Sequence, residues 1–425
     1  MSLKKAGLAL LVLVLLLGSG LLGAGEKKLT IWSHWADEDN KKEFVIKAVE
    51  LFKKDNPDFQ VEIVWYQKTQ LITSLAAALE AGAGPDIFYL EPKIAGYFPY
   101  VDNGVMYDIS EYVDDMVQDW AMPFVKEGDM TYLLPLETYG PLLYYNTEIM
   151  EKAGVTIPPE NAFTTEGLLD AVRKIKAAGF NAFAAGTMDR DWCAAIVVDI
   201  ILLRYAGLDA WQGVPTGKTV WTNPDLVAGL KYIEQLVKEG AYPPGVSSIR
   251  LGESHGQFFG GRYAMFPMKT FFGGRAFVPE DKGGMRADFP LGIMELPLVP
   301  DGKGGRYNYI QIGGSYGVNA ASQYPEKAAQ LLAKMASPEM VDDWMANTKC
   351  PAGLKFDPVA LEDPYFAAIE NAYKGTTLVP GPMFLGMDPT YRDVYLQTST
   401  ALVAGQISVD DMVSRLETAR QRALR

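Results

Sequence analysis

The sequence predicts an α/β protein of two domains, and three observations carry that prediction. Residues 29–90 alternate short apolar strands with amphipathic helices, strand first, which is the pattern of a parallel sheet covered by helices. The chain has 425 residues, more than one hydrophobic core ordinarily serves. No flexible linker divides it, so it is expected to pass between its two halves more than once.

Leu29–Trp32 reads as the first strand, and Ser33–Asp39 as a polar, aromatic turn. Phe44, Ala48, Leu51 and Phe52 follow at i, i+4, i+7 and i+8, a helical stripe ended by Asn56-Pro57. Gln60–Tyr66 turns Val61, Ile63 and Trp65 to one face, so it is a strand; Leu71, Leu75, Ala78 and Leu79 mark the next helix. Gly82-Ala83-Gly84-Pro85 breaks that helix, and Asp86–Leu90 is the third strand. Ligands of open α/β sheets bind beyond the carboxyl ends of the strands, which points to residues 33–37 and to Glu91.

Tyr132–Pro135 and Leu142–Tyr145 are further extended segments. Leu168, Val172 and Ile175 share one helical face closed by Gly179. After Ala182–Ala185 comes a polar turn, Met188–Trp192, and then a long apolar helical stretch, Cys193–Tyr205. Asn223 caps a helix with Pro224 in its first position. Strand Tyr263–Phe266 runs into a turn over Met268–Arg275, and residues 277–284 and 299–306 read as loops. Helices start at Pro325 and at Ser337-Pro338, and Ser408 with Asp411 forms a capping box for the last one.

Lys4-Lys5, the apolar run Leu8–Leu17 and Gly23-Ala24-Gly25 have the layout of a cleavable export signal, too short to span a bilayer comfortably. No cysteine follows the apolar run, so a lipoprotein anchor is not expected. The formal charge is −13, and −15 once the two leader lysines go, a poor match to nucleic acid or an anionic membrane. Two cysteines, Cys193 and Cys350, make no disulfide framework and are expected to be buried free thiols. The chain has no P-loop, C-x-x-C or H-E-x-x-H motif and only two histidines, so no metal, nucleotide or other cofactor is expected.

Gly313-Gly314-Ser315-Tyr316-Gly317 contains G-x-S-x-G, the spacing of a hydrolase nucleophile elbow. Both histidines, His34 and His255, precede Ser315, the reverse of the order that fold uses. Val318-Asn319-Ala320 also reads as extended chain, so no helix starts where an elbow needs one. The better reading is a close approach of backbone to a polar ligand, which glycines allow because they carry no Cβ.

Six short motifs, in order, resemble one family. They are Leu29-Thr30-Ile31-Trp32 behind an export signal, Phe52-Lys53-Lys54-Asp55-Asn56-Pro57, Gly84-Pro85-Asp86-Ile87-Phe88, Pro141-Leu142-Leu143-Tyr144-Tyr145-Asn146, Gly261-Arg262-Tyr263-Ala264-Met265-Phe266 and Gly317-Val318-Asn319-Ala320-Ala321. The chain from 26 to 425 resembles the family 1 extracellular solute-binding proteins of ABC importers, the maltose- and sugar-binding group. The resemblance implies two α/β lobes around a central cleft, three inter-lobe crossovers and hinge closure on binding. The crossings would fall near Tyr139–Leu143, Ile310–Gly314 and Lys355–Pro358, giving a first lobe of 26–140 and 312–355 and a second of 141–311 and 356–425 after the signal, 1–25. It further implies a monomeric periplasmic protein, not an enzyme, that delivers a carbohydrate-like solute to permease subunits.

Candidate ligand residues lie on turns after strands. Ser33, His34, Trp35 and Asp37 follow the first strand; His34 can donate to a hydroxyl, and Trp35 can offer a ring to a sugar face. Glu91, Glu137 and Tyr139 supply hydroxyl acceptors and an aromatic, and Asp189, Arg190 and Trp192 share one turn. Thr270 and Phe271 match the segment where sugar-binding relatives carry an aromatic platform; Tyr391 is a weaker carry-over of the same kind. Gly314 and Ser315 complete the set, with Arg275 and Lys269 as second choices. Core packing, capping or solvated charge is the competing reading for each. The mixed charges also fit an acidic sugar with Arg190, Arg275 or His34 as anion partner. The rivals are a secreted glycosidase using Glu91 and Glu137, whose separation would decide the mechanism, and the same fold binding a polyamine or glycerol phosphodiester.

Overall fold

The computed structural model describes residues 27–92 and 98–424, so the expected signal segment lies outside the described residues. The sheets are built from β1 (Lys27–Ser33), β2 (Phe59–Trp65), β3 (Ile87–Leu90), β4 (Leu134–Pro135), β5 (Thr138–Tyr139), β6 (Pro141–Asn146) and β7 (Ala162–Thr164). They continue with β8 (Asn181–Phe183), β9 (Tyr263–Lys269), β10 (Leu291–Leu298), β11 (Tyr307–Ile312), β12 (Ser315–Val318) and β13 (Thr377–Pro380).

Two five-stranded sheets form two lobes. The first has the order β2-β1-β3-β12-β4 and the second β8-β9-β6-β10-β7. The expected parallel core is present as β2-β1-β3, with Lys27 opposite Phe59 and Ile31 opposite Ile87. The sheet is mixed, however, because β12 runs antiparallel to both β3 and β4. A third sheet, β13-β11-β5, lies where the chain passes from one large sheet to the other. There Gln311 pairs with Tyr139 and Ile312 with Thr138, joining two passages of chain side by side.

Burial explains the order of these elements. Helix Asp39–Asp55 turns Phe44, Val45, Ala48 and Phe52 inward, and helices Pro325–Met335 and Pro338–Thr348 pack against it. Each buried Phe of that stripe contributes about 1.5–3 kcal/mol through area removed from water. Trp35 is fully buried, its ring 5.4 Å from Trp344 and 5.6 Å from Tyr316. In the second lobe a helical run over 190–206 is π-wound between Cys193 and Asp199. Asp199 accepts from Tyr395 Oη at 2.8 Å and from the Met383 N–H at 2.7 Å, tying that run to the segment at 383–386.

Behind β6 a buried pair, Arg204 Nη2 and Glu295 Oε1 at 3.2 Å, is supported by Asn308 Nδ2 at 2.8 Å and Thr376 Oγ1 at 2.7 Å. Burial pulls the Arg204 guanidinium down and pushes the Glu295 carboxyl up, against their mutual attraction. The local expectations at Asn223 and at Ser408 hold: each side chain accepts the N–H bonds of its helix start. The expected turn at Met268–Arg275 is instead the end of β9 followed by two short helical turns, Thr270–Phe272 and Gly273–Ala276. Both cysteines are free and buried. Among the described residues no helix is long and apolar enough to cross a membrane.

Candidate functional site

A cavity of about 860 Å³ opens between the lobes. Its first wall stands beyond the carboxyl ends of the parallel strands: His34, Asp37, Glu38 and Lys41 after β1, Gln67 after β2 and Glu91 after β3. Glu137 and Tyr139 close that wall where the chain leaves the first sheet. Lys41 sits on the buried face of its helix, and its ammonium meets two carboxylates, Glu137 and, at 2.6 Å, Glu38. Burial pulls the Lys41 pKa down, but the two carboxylates outweigh it and hold it above the ordinary lysine value. Burial pushes Glu38 up, yet Lys41, with His34 and Arg275 behind it, brings it to about 2. Both groups are therefore charged at neutral pH.

Glu137 is saturated with donors. Its Oε2 accepts from Tyr139 Oη at 2.6 Å and from the Gly314 N–H at 3.2 Å, while Oε1 takes Lys41. A Cβ at Gly314 would stand 2.8 Å from that carboxylate and force it to shift; one at Gly313 would fall on the Tyr139 ring. Burial first, and then Glu137, push the Tyr139 phenol well above its usual range, so it is a neutral donor.

The second wall comes from Asp189–Trp192, from Arg250–Glu253 at the start of helix Leu251–Phe259, from Lys269 at the end of β9, and from Phe271 and Arg275 after it. Phe384 and Leu385 complete it, and Gln311 of β11 lies between the walls. Phe271 meets the Tyr139 ring edge-on at 5.1 Å, and Lys269 Nζ stands 5.7 Å over that ring and 3.3 Å from Gln311 Oε1. Asp189 accepts the Leu251 N–H at 2.7 Å, while Arg190 reaches Asp393 at 3.4 Å. The result is a polar cleft with flat apolar faces set between charged groups. Among the described residues no His, Cys, Asp and Glu cluster could hold a metal ion.

The sequence profile of the bacterial extracellular solute-binding protein family matches residues 35–342. The chain belongs to that family. It is the solute-binding component of an ABC importer. A binding protein of Brucella abortus is 23% identical over 410 residues, which cover 94% of this chain and 92% of the relative. The sn-glycerol-3-phosphate-binding periplasmic protein UgpB of Escherichia coli is 24% identical over 366 residues, 79% of this chain and 76% of UgpB. Among solved structures, a chitin oligosaccharide binding protein superposes with a TM-score of 0.82 at 21% identity, covering 94% of this chain and 99% of that one. RafE of Streptococcus pneumoniae gives 0.73 at 17%, covering 95% and 100%. These relatives are receptors and binding proteins, and the structures carry the two-lobed fold.

Against this receptor architecture the expected residues divide into those that line the cavity and those taken up by the protein's own packing. His34, Asp37, Glu91, Glu137, Tyr139, Asp189, Arg190, Trp192, Phe271 and Arg275 all line the cavity. Six others do not. Ser33 accepts from Tyr316 Oη at 2.7 Å inside the sheet, and Trp35 belongs to the aromatic core described above. Thr270 donates to the Thr138 carbonyl at 2.7 Å and accepts from the Gly140 N–H, a stitch between strands. The Gly314 backbone answers Glu137, so the close approach the glycines permit is made by protein groups. Ser315 is fully buried in β12, paired to Leu90 and Pro135, whereas an elbow serine must be exposed on a turn. Tyr391 is buried too, accepting from Trp221 Nε1.

Sequence reasoning passed over Glu38, Lys41, Gln67, Gln311 and the whole of Arg250–Glu253, and placed nothing at Phe384 and Leu385. Lys41 carried a usable signal. It shares the apolar stripe with Phe44, Val45 and Ala48, and a lysine there needs a carboxylate.

Proposed function

We propose that the protein is a monomeric periplasmic receptor that closes two lobes on a carbohydrate or carbohydrate-like solute and hands it to the permease of its importer. The observation that carries this reading is the cavity itself: hydroxyl-matching groups alternate with ring faces on opposing walls. Tyr139, Phe271 and Trp192 offer surfaces for the C–H face of a sugar, and Glu91, Asp37 and Gln311 offer hydroxyl partners. His34, Asp189, Arg190 and Arg275 complete the proposed contact set. The lobes in this reading comprise 26–140 with 312–355 and 141–311 with 356–425, joined by three crossings. A ligand touching both favours the closed arrangement. Two relatives that superpose on the chain are named for sugar oligomers or their complexes, which supports the ligand class.

A catalytic role is not part of the proposal. A glycosidase acid must carry or take up a proton at the scissile oxygen, and Glu137 already receives Lys41, Tyr139 and Gly314 N–H. The test is thermal unfolding of the chain from Glu26 onward against mono- and oligosaccharides, sugar acids, sugar phosphates and polyols. A ligand at a hundred times its dissociation constant adds about 2.7 kcal/mol, a shift of several degrees. A hit recovered intact supports the receptor; one that is consumed hands the site to catalysis, and silence removes the carbohydrate class.

A further inference from the structure

Among the described residues seven carboxylates and five cations line the cleft, and their engagements are unequal. Glu137 and Glu38 hold Lys41, Asp37 takes Gln67 Nε2 at 2.6 Å, and Glu91 takes Tyr89 Oη at 3.4 Å. Asp189 and Glu253 are committed to the backbone N–H groups of Leu251 and Arg250, at 2.7 and 3.0 Å. Among these carboxylates only Asp191 makes no hydrogen bond or ion pair to a described residue. On the cationic side Lys41 is spent, Arg190 reaches Asp393 and Lys269 rests on Gln311 and tyrosine rings. The Arg250 and Arg275 guanidiniums face the cavity with no ion pair to any described residue.

The first wall is thus acidic but internally answered, while the second presents two guanidiniums with donors to spare. Arg275 stands close enough to the first lobe to act on Glu38 across the opening. Closing the lobes on a neutral solute would strip water from these cations and give nothing in return, which is costly for a charge. An anionic group supplies the missing acceptors, and guanidinium meets carboxylate or phosphate in a two-bond fork. The helix start at Leu251 is not itself the anion site, because Asp189 and Glu253 already cap it.

We infer that the solute carries an anionic group, a carboxylate or a phosphate on a polyhydroxy body, and that Arg275 with Arg250 receives it on the second-lobe wall. The inference rests on the receptor reading above and narrows its ligand class. It also adds Arg250, which supplies the second guanidinium.

Calorimetry with matched pairs tests it: glucose with glucuronate and glucose 6-phosphate, galactose with galacturonate, glycerol with glycerol 3-phosphate. An acidic member should bind at least about tenfold tighter than its neutral counterpart and weaken as salt rises. Arg275→Gln should cost that acid about tenfold or more and narrow the acid-to-neutral ratio, Arg275→Lys should restore part of it, and Arg250→Gln should act in the same direction. Melting of the ligand-free variants checks folding, and both side chains are exposed. Uronates and phosphates separate the two anion sources. A neutral member binding as tightly as its acid, or acid affinity unmoved by both substitutions, overturns the inference and leaves the receptor standing. Silence from acids and neutrals alike takes the carbohydrate receptor down with it.

Discussion

Glu137 and Glu295 are both buried carboxylates facing one cation and several donors, yet the protein uses them differently. Glu295 is matched one-to-one with Arg204, both fully buried, in the packing behind β6. Glu137 shares Lys41 with a second carboxylate, Glu38, and stands on the cavity wall. The stoichiometry sets the outcome. With one carboxylate, burial dominates and, with Arg306 adding to the pull on Arg204, moves both partners toward neutrality. With two, attraction dominates and Lys41 stays firmly charged. A one-to-one pair anchors the second lobe; a shared cation stays charged beside the ligand space, where Glu137 ties Lys41, Tyr139 and Gly314 together.

Breaking each pair sharpens the contrast. Glu295→Gln strands the Arg204 charge in the interior and should cost the most, about 3–5 kcal/mol by urea unfolding. Lys41→Met leaves two carboxylates facing each other and should cost about 3 kcal/mol. Glu137→Gln should cost only about 1–2 kcal/mol, since Lys41 keeps Glu38 and the amide still accepts from Tyr139. If Glu137→Gln destabilises as much as Glu295→Gln, the second carboxylate does not support Lys41 and the contrast fails. Ligand affinity should rank the other way, with Glu137→Gln the more damaging of the two because only Glu137 borders the cavity. Gly313→Ala drives a methyl into the Tyr139 ring and should cost about 1–3 kcal/mol.

The smallest expected effect concerns pH. Burial pushes Asp199 up to about 7 from an ordinary 3.8, so the folded chain keeps a proton there that the unfolded chain has lost. Its contribution is full below pH 3.8 and fades as pH rises through about 7. Burial pushes His255 down to about 4 from 6.5, so its contribution is full above 6.5 and is lost as pH falls through 4. The two slopes oppose each other. Asp199→Asn removes one of them, and its melting temperature should drop more steeply than that of the parent from pH 7 to 5. Parallel profiles for the two proteins would show that Asp199 holds no extra proton.

How much of this the sequence discloses depends on whether local pattern and tertiary role agree. β1, β2 and the two intervening helices are legible because each shows one clean periodicity, and β3, a short apolar run, because Gly82–Pro85 marks its start. β10 was not: five consecutive buried residues, Ile293–Pro297, erase the alternation that marks a half-exposed strand. Helix Leu251–Phe259 hides behind Gly252 and Gly256, residues that argue against a helix, and its first turn took Arg250 out of view. In the site, the strand-end rule placed His34, Asp37 and Glu91 on the wall, while the same rule could not separate Trp35, whose ring turns into the core. Gly313 and Gly314 were visible as a close approach; only three dimensions show that Tyr139 and Glu137 are what approach.

The buried, unpaired state of Cys193 and Cys350 has a practical side. Burial pushes the Cys350 thiol up to about 12 and the Cys193 thiol higher still, so neither is a thiolate at neutral pH. To an alkylating dye the folded protein is silent. A single cysteine introduced at the exposed Phe277 would be the one position to take a fluorophore. A change in its emission when solute is added would then make this single-substitution protein, with both native cysteines left in place, an optical sensor for its own cargo.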